Sequence, residues 1–255
     1  MNVEKLSNKL VSAFLKNKII SPLPQKITKN IYNAEKFRKL CESKITKPII
    51  GFKAGGTAIP VLKKLKEKEP FYASVFKRNF LNNGKRVKIN KSTLGIELEV
   101  CYLIKKSFFN SKGLITSKNV TKFISHMAPC IEVVGYRQKR KGITSFGDLS
   151  SDFGGNVKFL IGQKKKYKKI NIGNLKANIS NKKVKQSVNG NTNAVYINPL
   201  NSLRFVLNKV KNEKVDLGKD FYVFTGSTVG VVPILSKGLY TGKIDKLGSV
   251  KAIIS

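Results

Sequence analysis

The stretch LGIELEVCYLI, Leu94 to Ile104, places two glutamates, Glu97 and Glu99, inside an otherwise apolar run, and a third, Glu132, sits among apolar neighbours in APCIEVVGYR. In a strand the side chains alternate. Ile96, Leu98, Val100, Tyr102 and Ile104 then share one face, and Gly95, Glu97, Glu99, Cys101 and Leu103 share the other. The first face is pure core. The second sets two carboxylates on one side about 7 Å apart at Cβ, close enough to converge on one ion and crowded enough to repel without one. Acids are scarce here, 14 Asp and Glu against 50 Lys and Arg, so carboxylates in apolar strands call for a positive partner. Lysines in structural salt bridges would serve. So would a hard divalent cation such as Mg²⁺ or Mn²⁺, for which three glutamates supply oxygen donors and leave open positions for water and substrate.

Other constellations are poorly supplied. The chain has one histidine, His126, and no G-x-S-x-G, which excludes a Ser-His-Asp hydrolase and leaves His126 as a structural residue at a helix end. GFKAGGT, Gly51 to Thr57, is neither a P-loop nor a dinucleotide fingerprint, because its lysine precedes the glycine pair. It reads as a strand-to-helix turn, or as a turn presenting Lys53 beside a site. Cys41, Cys101 and Cys130 are odd in number and lack C-x-x-C spacing, so neither a disulfide framework nor a zinc site is expected, and a reducing, cytoplasmic location fits.

The net charge of +36 raises the question of nucleic acid. Only six of the 50 cations are arginines, leaving 44 lysines, whereas readers of phosphates and base edges favour the arginine fork. Lys, Asn and Ile, all abundant here, are residues of A/T-rich codons. The densest basic run, Gln163 to Gln186, holds one tyrosine and no aromatic series for stacking bases. The charge therefore reads as a solvated, coding-biased surface without a specific nucleic-acid partner. A basic nucleic-acid-binding protein remains the alternative from a different class.

Helical spacing occupies Val3 to Leu15, Ala34 to Glu42, Ile59 to Lys66, Lys118 to Ser125 and Leu200 to Val210. Strand-like runs fall at Ile49 to Lys53, Ile96 to Ile104, Ile131 to Tyr136, Phe159 to Ile161, Tyr222 to Thr225, Val229 to Ile234 and Val250 to Ile254. Helices cluster early and strands late. An α+β chain is expected, with a small, mainly helical N-terminal region (1–75) and a β-rich catalytic domain (76–255). The N-terminal segment is amphipathic rather than uniformly apolar, and Phe221 to Leu235 is broken by Thr225, Gly226, Ser227 and Thr228, so no membrane segment is expected.

The motifs GFKAGGT, EPFY, LGIELEV, PCIEVVGYR, SDFGGNVKFLIG, NPLNSLRFVLN, FTGST and KLGSVKAII, in this order over nearly the whole chain, resemble the 2-keto-4-pentenoate hydratases, also called 2-hydroxypenta-2,4-dienoate hydratases. These are relatives of 4-oxalocrotonate decarboxylase within the fumarylacetoacetase superfamily. The resemblance implies a homo-oligomer with a mixed, β-rich C-terminal domain, and Mg²⁺ or Mn²⁺ held by Glu97, Glu99 and Glu132. It implies that Lys53 and Asp152 are catalytic and that Leu94, Arg137, Asn156, Thr225, Ser227 and Thr228 line the substrate. The implied reaction adds water to a 2-hydroxy-2,4-dienoate through a metal-stabilised dienolate to give a 4-hydroxy-2-oxo acid. Decarboxylation of a 4-oxalocrotonate-type 2-oxo acid uses the same electron sink and is the alternative. The chain departs from the pattern in having no acid between Phe71 and Phe80, SDFGGN in place of A-D-N with following serines, and Gly135 where an Asp is common.

Overall fold

The structure, a computed structural model, describes residues 2–139 and 145–255. Three helices open the chain, α1 (Val3–Lys16), α2 (Gln25–Thr28) and α3 (Ile31–Ser43), followed by β1 (Ile49–Gly55), α4 (Ile59–Lys64) and β2 (Phe71–Phe76). Then come β3 (Phe80–Asn82), β4 (Arg86–Val87), β5 (Thr93–Ile104), β6 (Ile124–Gly135), α5 (Phe146–Ser151), β7 (Asn156–Ile161) and β8 (Lys165–Lys166). The chain finishes with β9 (Lys176–Asn181), β10 (Gln186–Asn191), α6 (Pro199–Asn212), β11 (Phe221–Ser227), β12 (Gly238–Ile244) and β13 (Gly248–Ile254). The α+β expectation holds.

Two sheets and a helical layer organise these elements. The larger mixed sheet runs β2-β1-β11-β5-β6-β7-β3, with β8 pairing beside β6, and the smaller runs β10-β9-β12-β13-β4. Strands β1 and β2 thus stand in the same sheet as strands late in the chain. The apolar face of β5 is fully buried at Ile96, Leu98, Val100, Tyr102 and Ile104, as alternation requires. It packs into one cluster with Leu203, Val206 and Leu207 of α6 and with Tyr240, Ile244, Val250 and Ile254 of the smaller sheet.

The opposite side of the large sheet is where the helical layer matters. Asn2 caps α1 by accepting from Lys5 N, and the buried stripe Leu10, Val11 and Phe14 packs with Phe37 and Cys41 of α3. Phe14 also meets Phe76 of β2 and stacks on Phe153, with ring centroids 4.3 Å apart in the latter pair. Phe153 opens a tight turn, Phe153–Gly155, in which Gly154 has φ +66. The N-terminal helices therefore clamp this turn against the sheet. Among the described residues no helix is long and apolar enough to cross a membrane.

Two expected elements differ. The Lys118 to Ser125 segment forms only a 3-10 turn, Val120–Phe123, before entering β6 at Ile124. His126 consequently lies in a strand, opposite Leu103, with Nδ1 2.7 Å from Ser125 Oγ, rather than at a helix end. Pairing with β5 outweighs the helical spacing, because a twelve-residue partner strand satisfies backbone groups that an isolated turn leaves open. Val229 to Ile234 forms a single bridge, Val232 to Ile96, instead of a strand. Gly230, at φ +76, and Pro233 interrupt it. Strand β2 is buried throughout and so shows no alternation, while β9 and β10 are rich in Asn and Ser, residues that are poor or indifferent strand formers.

Candidate metal centre

The antiparallel register of β5 and β6 sets Glu97 directly opposite Glu132 and Glu99 opposite Cys130, so all three carboxylates lie on one face. One oxygen from each of Glu97, Glu99 and Glu132 lies within 4.8 Å of the others. Glu99 and Glu132 are completely buried, while Glu97 is partly exposed and marks the open side.

Lys53 enters from β1, whose parallel pairing with β11 sets it level with Phe224. Its ammonium donates to Glu132 Oε1 at 2.7 Å and to the Gly154 carbonyl at 3.2 Å. Gly226 contributes a backbone N–H to Glu99 Oε2 at 3.0 Å. That donor is aimed by a register irregularity in β11 between Phe224 and Ser227, and by a φ of +103 at Gly226. A Cβ there would stand 2.1 Å from Thr57 Oγ1, so only glycine fits.

The electrostatics are unbalanced. Three carboxylates face one ammonium, and the buried Glu99 Oε1 and Glu132 Oε2 receive no donor from any other described residue, so that only a proton held between the two acids can link them. Burial drives Glu132 up to about 7, with Lys53 opposing and Glu97 reinforcing the rise. Burial, with Glu132 next, also pushes Glu99 well above the usual carboxylate range. Burial alone would depress Lys53, but Glu132, Glu97 and Glu99 outweigh it and raise the ammonium. When ionised the group carries two excess negative charges, the amount one divalent cation cancels. Oxygen-only donors, spare buried lone pairs and this charge fit a hard divalent ion.

The other expected site residues are placed differently. Arg137 and Asp152 form a separate buried pair: Arg137 N donates to Asp152 Oδ2 and Nε to Oδ1, both at 2.7 Å, while the guanidinium also reaches the Asp152 and Asn156 carbonyls. Asp152 thereby anchors the turn whose Gly154 carbonyl receives Lys53. Asn156 donates to the Ser74 carbonyl at 3.0 Å. The hydroxyls of Thr225 and Thr228 donate to the Val100 and Leu98 carbonyls of β5, and Ser227 Oγ donates to the Gly230 carbonyl. Leu94 is exposed, before the glutamates on β5. Sequence reasoning passed over the Gly226 N–H and the Gly154 carbonyl, because backbone groups leave no residue-type signal beyond the glycines themselves.

No protein-family model matches the sequence, and no curated protein matches it significantly. Solved structures do. The 4-oxalocrotonate decarboxylase of Pseudomonas putida G7, complexed with magnesium and adipate, superposes with TM-score 0.84 at 19% identity, covering 99% of this chain and 97% of that one. Fumarylpyruvate hydrolase from Pseudomonas aeruginosa, in complex with Mn²⁺ and pyruvate, gives 0.59 at 13% identity over 83% of this chain and 91% of the other. The 2-hydroxyhepta-2,4-diene-1,7-dioate isomerase of Mycobacterium marinum gives 0.53 at 14% identity over 82% and 76%. Likeness at such identities speaks to architecture, and the architecture is clear: this chain has the fumarylacetoacetase-like fold, shared along nearly its full length with 4-oxalocrotonate decarboxylase.

Proposed function

We propose that this protein is a divalent-metal-dependent lyase that hydrates a 2-hydroxy-2,4-dienoate to a 4-hydroxy-2-oxo acid. The observation that carries the reading is the buried trio Glu97, Glu99 and Glu132, with two unpartnered oxygens and a single ammonium beside them. These glutamates would hold Mg²⁺ or Mn²⁺. Bound there, the cation would withdraw electron density from a chelating 2-oxo acid and stabilise its enolate form.

The remaining work falls to the chain. Lys53, kept protonated by the carboxylates around it, is the group placed to hold a proton and hand it to the substrate carbon skeleton. Net, the substrate gains one water, with hydroxyl at C4 and hydrogen at C3, while the enol proton is matched by one delivered to C5. Gly226 N–H and the Gly154 carbonyl fix Glu99 and Lys53 so that neither swings away. Asp152, through Arg137, holds the turn that positions Lys53. Leu94, Thr225, Ser227 and Thr228 are assigned to the substrate side of the site. The three buried free cysteines accord with a reducing, cytoplasmic setting, and we assign the working form to a homo-oligomer.

A second reading, decarboxylation of a 4-oxalocrotonate-type acid, is favoured by the likeness that spans 99% of the chain. One experiment separates them. With Mn²⁺ or Mg²⁺, 2-hydroxypenta-2,4-dienoate should lose its ultraviolet absorbance and chelator should stop the loss. Carbon dioxide release from 4-oxalocrotonate, with the dienoate untouched, would replace the hydratase by the decarboxylase. Lys53→Ala should retain the metal and lose about a hundredfold or more in turnover. Absence of both metal and turnover in the native chain would sink the enzyme reading.

A further inference from the structure

Strand β2 is an edge of the large sheet, and its neighbour β1 carries Lys53. Ala73 of β2 is the register partner of that lysine. A Cβ on Gly154 would stand 2.9 Å from Ala73 Cβ and 3.5 Å from Lys53 Cδ, so the lysine stem, Ala73 and the turn that receives the ammonium pack against one another. Where β2 sits therefore sets where Lys53 can reach.

An edge residue presents backbone groups that its own sheet does not satisfy. At Ser74, next to Ala73, both groups are taken up from outside β1. Glu42 of α3 accepts from Ser74 N at 3.1 Å through Oε1 and from Ser74 Oγ at 2.9 Å through Oε2. On the other side Asn156 Nδ2 donates to the Ser74 carbonyl at 3.0 Å, and the Asn156 carbonyl accepts in turn from Arg137. Asn156 directly follows the Phe153–Gly155 turn and opens β7. Ser74 is thus bracketed between the helical layer and the turn that holds Lys53.

Glu42 is itself held. Arg38, one turn earlier on α3 and 0% exposed, donates through Nη1 to Glu42 Oε1 at 2.7 Å, and its guanidinium lies 4.8 Å over the Tyr72 ring. Burial alone would depress Arg38, and Glu42, with Tyr72 next, outweighs it. One helix-borne pair therefore grips Tyr72 and Ser74, the residues on either side of Ala73.

We propose that Glu42 is a positioning residue for Lys53: through Ser74 it fixes the β2 edge and the Gly154 turn against the lysine stem, so that the ammonium keeps its place beside Glu132. The rate measurement below rests on the lyase reading, whereas the labelling measurement does not.

Glu42→Gln and Glu42→Ala separate position from stability. Both leave the Arg38 guanidinium without its carboxylate, so the midpoint of chemical denaturation should fall similarly in the two. Glutamine keeps an oxygen for Ser74 N and an amide that can donate to Ser74 Oγ, and alanine keeps neither. With saturating Mn²⁺, kcat on whichever of 2-hydroxypenta-2,4-dienoate and 4-oxalocrotonate the native chain consumes should fall about tenfold in Glu42→Ala, with KM within about twofold, and stay within about threefold of native in Glu42→Gln. Metal stoichiometry should hold in both. Lys39→Gln, which removes an exposed pair with Glu213 from the same helix, should change nothing. Trace acetylation of the Mn²⁺-loaded proteins with acetic anhydride, read at Lys53 by peptide mass mapping, should be slow in native and Glu42→Gln protein and about tenfold faster in Glu42→Ala. Arg38→Met combined with Glu42→Leu removes the buried charges at similar volume and should regain much of the stability while keeping the kcat loss and the faster labelling. Equal rates and labelling in Glu42→Gln and Glu42→Ala, or native behaviour of the double variant, would overturn the proposal and leave Glu42 as a counter-charge for Arg38 alone. If the native chain consumes neither substrate, the lyase reading fails and the labelling pattern decides the proposal by itself.

Discussion

Two buried ion pairs of equal length, one joining Lys53 of β1 to Glu132 of β6 and the other joining Arg137 to Asp152 within the β6–β7 connection, behave as opposites. Arg137–Asp152 and Lys53–Glu132 both close at 2.7 Å with essentially no exposure. Around the first, each Asp152 oxygen has its own donor and the guanidinium also reaches two carbonyls, so charge and hydrogen bonding balance locally. Around the second, two further carboxylates crowd the same ammonium and two oxygens go without partners. A balanced buried pair holds a turn in place, whereas an unbalanced one is a site waiting for a counter-charge. Length and burial of a salt bridge do not tell the two apart; the bookkeeping of lone pairs does.

The largest effect should come from Glu132→Gln. Metal analysis should find the ion gone, and turnover should fall by more than about ten-thousandfold, roughly 5.5 kcal/mol in the barrier. Undiminished metal stoichiometry would break the contrast by locating the ion elsewhere.

Asp152→Ala probes the balanced pair. Chemical denaturation should report a loss of about 3–4 kcal/mol, since the Arg137 guanidinium is left buried and uncompensated. Metal binding by the folded protein should persist. Unchanged stability with collapsed turnover would instead move Asp152 into the chemistry.

Glu99→Gln sharpens the contrast from the other side. Removing one of three crowded acids while keeping an acceptor for Gly226 N–H should stabilise the metal-free protein by about 1 kcal/mol at pH 8, above the Glu132 titration near 7, where the acids are least relieved by protons. Destabilisation would show the trio to be already neutralised without metal.

The smallest effect is in pH. In the metal-free protein Glu132 is raised to about 7 from 4.5, chiefly by burial, so the native state holds a proton that the unfolded chain releases. Stability from this group is therefore full below about 4.5 and is lost as pH rises through about 7. Metal affinity should run the other way, weakening below about 7 as protons compete for the same oxygens. Denaturant titrations at pH 5 and 8, with and without Mn²⁺, should show the decline only in the metal-free protein.

Several residues spoke plainly in one dimension. Acidic side chains among apolar, β-branched neighbours are costly unless employed, and strand alternation alone put Glu97 and Glu99 on one face, with Glu132 singled out as the third acid of the set. GFKAGGT gave Lys53 at the end of the strand-like run Ile49 to Lys53 and the turn into α4, and β1 extends two residues beyond that lysine to Gly55. His126 was misplaced because its neighbourhood has helical spacing, and spacing carries no information about a partner strand twenty residues earlier. The polar β9–β10 hairpin escaped for a related reason: only Ala177, Ile179 and Val188 reach the core from it, too sparse an apolar pattern among Asn, Ser and Lys to stand out in one dimension.

By itself the sequence determined which residues could serve as ligands and which face of β5 is core, because those follow from residue type and a two-residue period, and it left lysine or a hard cation as the partner that the carboxylates call for. The tertiary structure decided what acts on them. Only the β5–β6 register could set Glu97 against Glu132, only the crossover from β1 to β11 could bring Lys53 to them, and only the helical layer pressing Phe14 onto Phe153 could fix the turn whose carbonyl holds that lysine. Charge balance belongs to this second class, since whether a buried carboxylate is satisfied depends on donors contributed by distant segments, and no local pattern encodes their arrival.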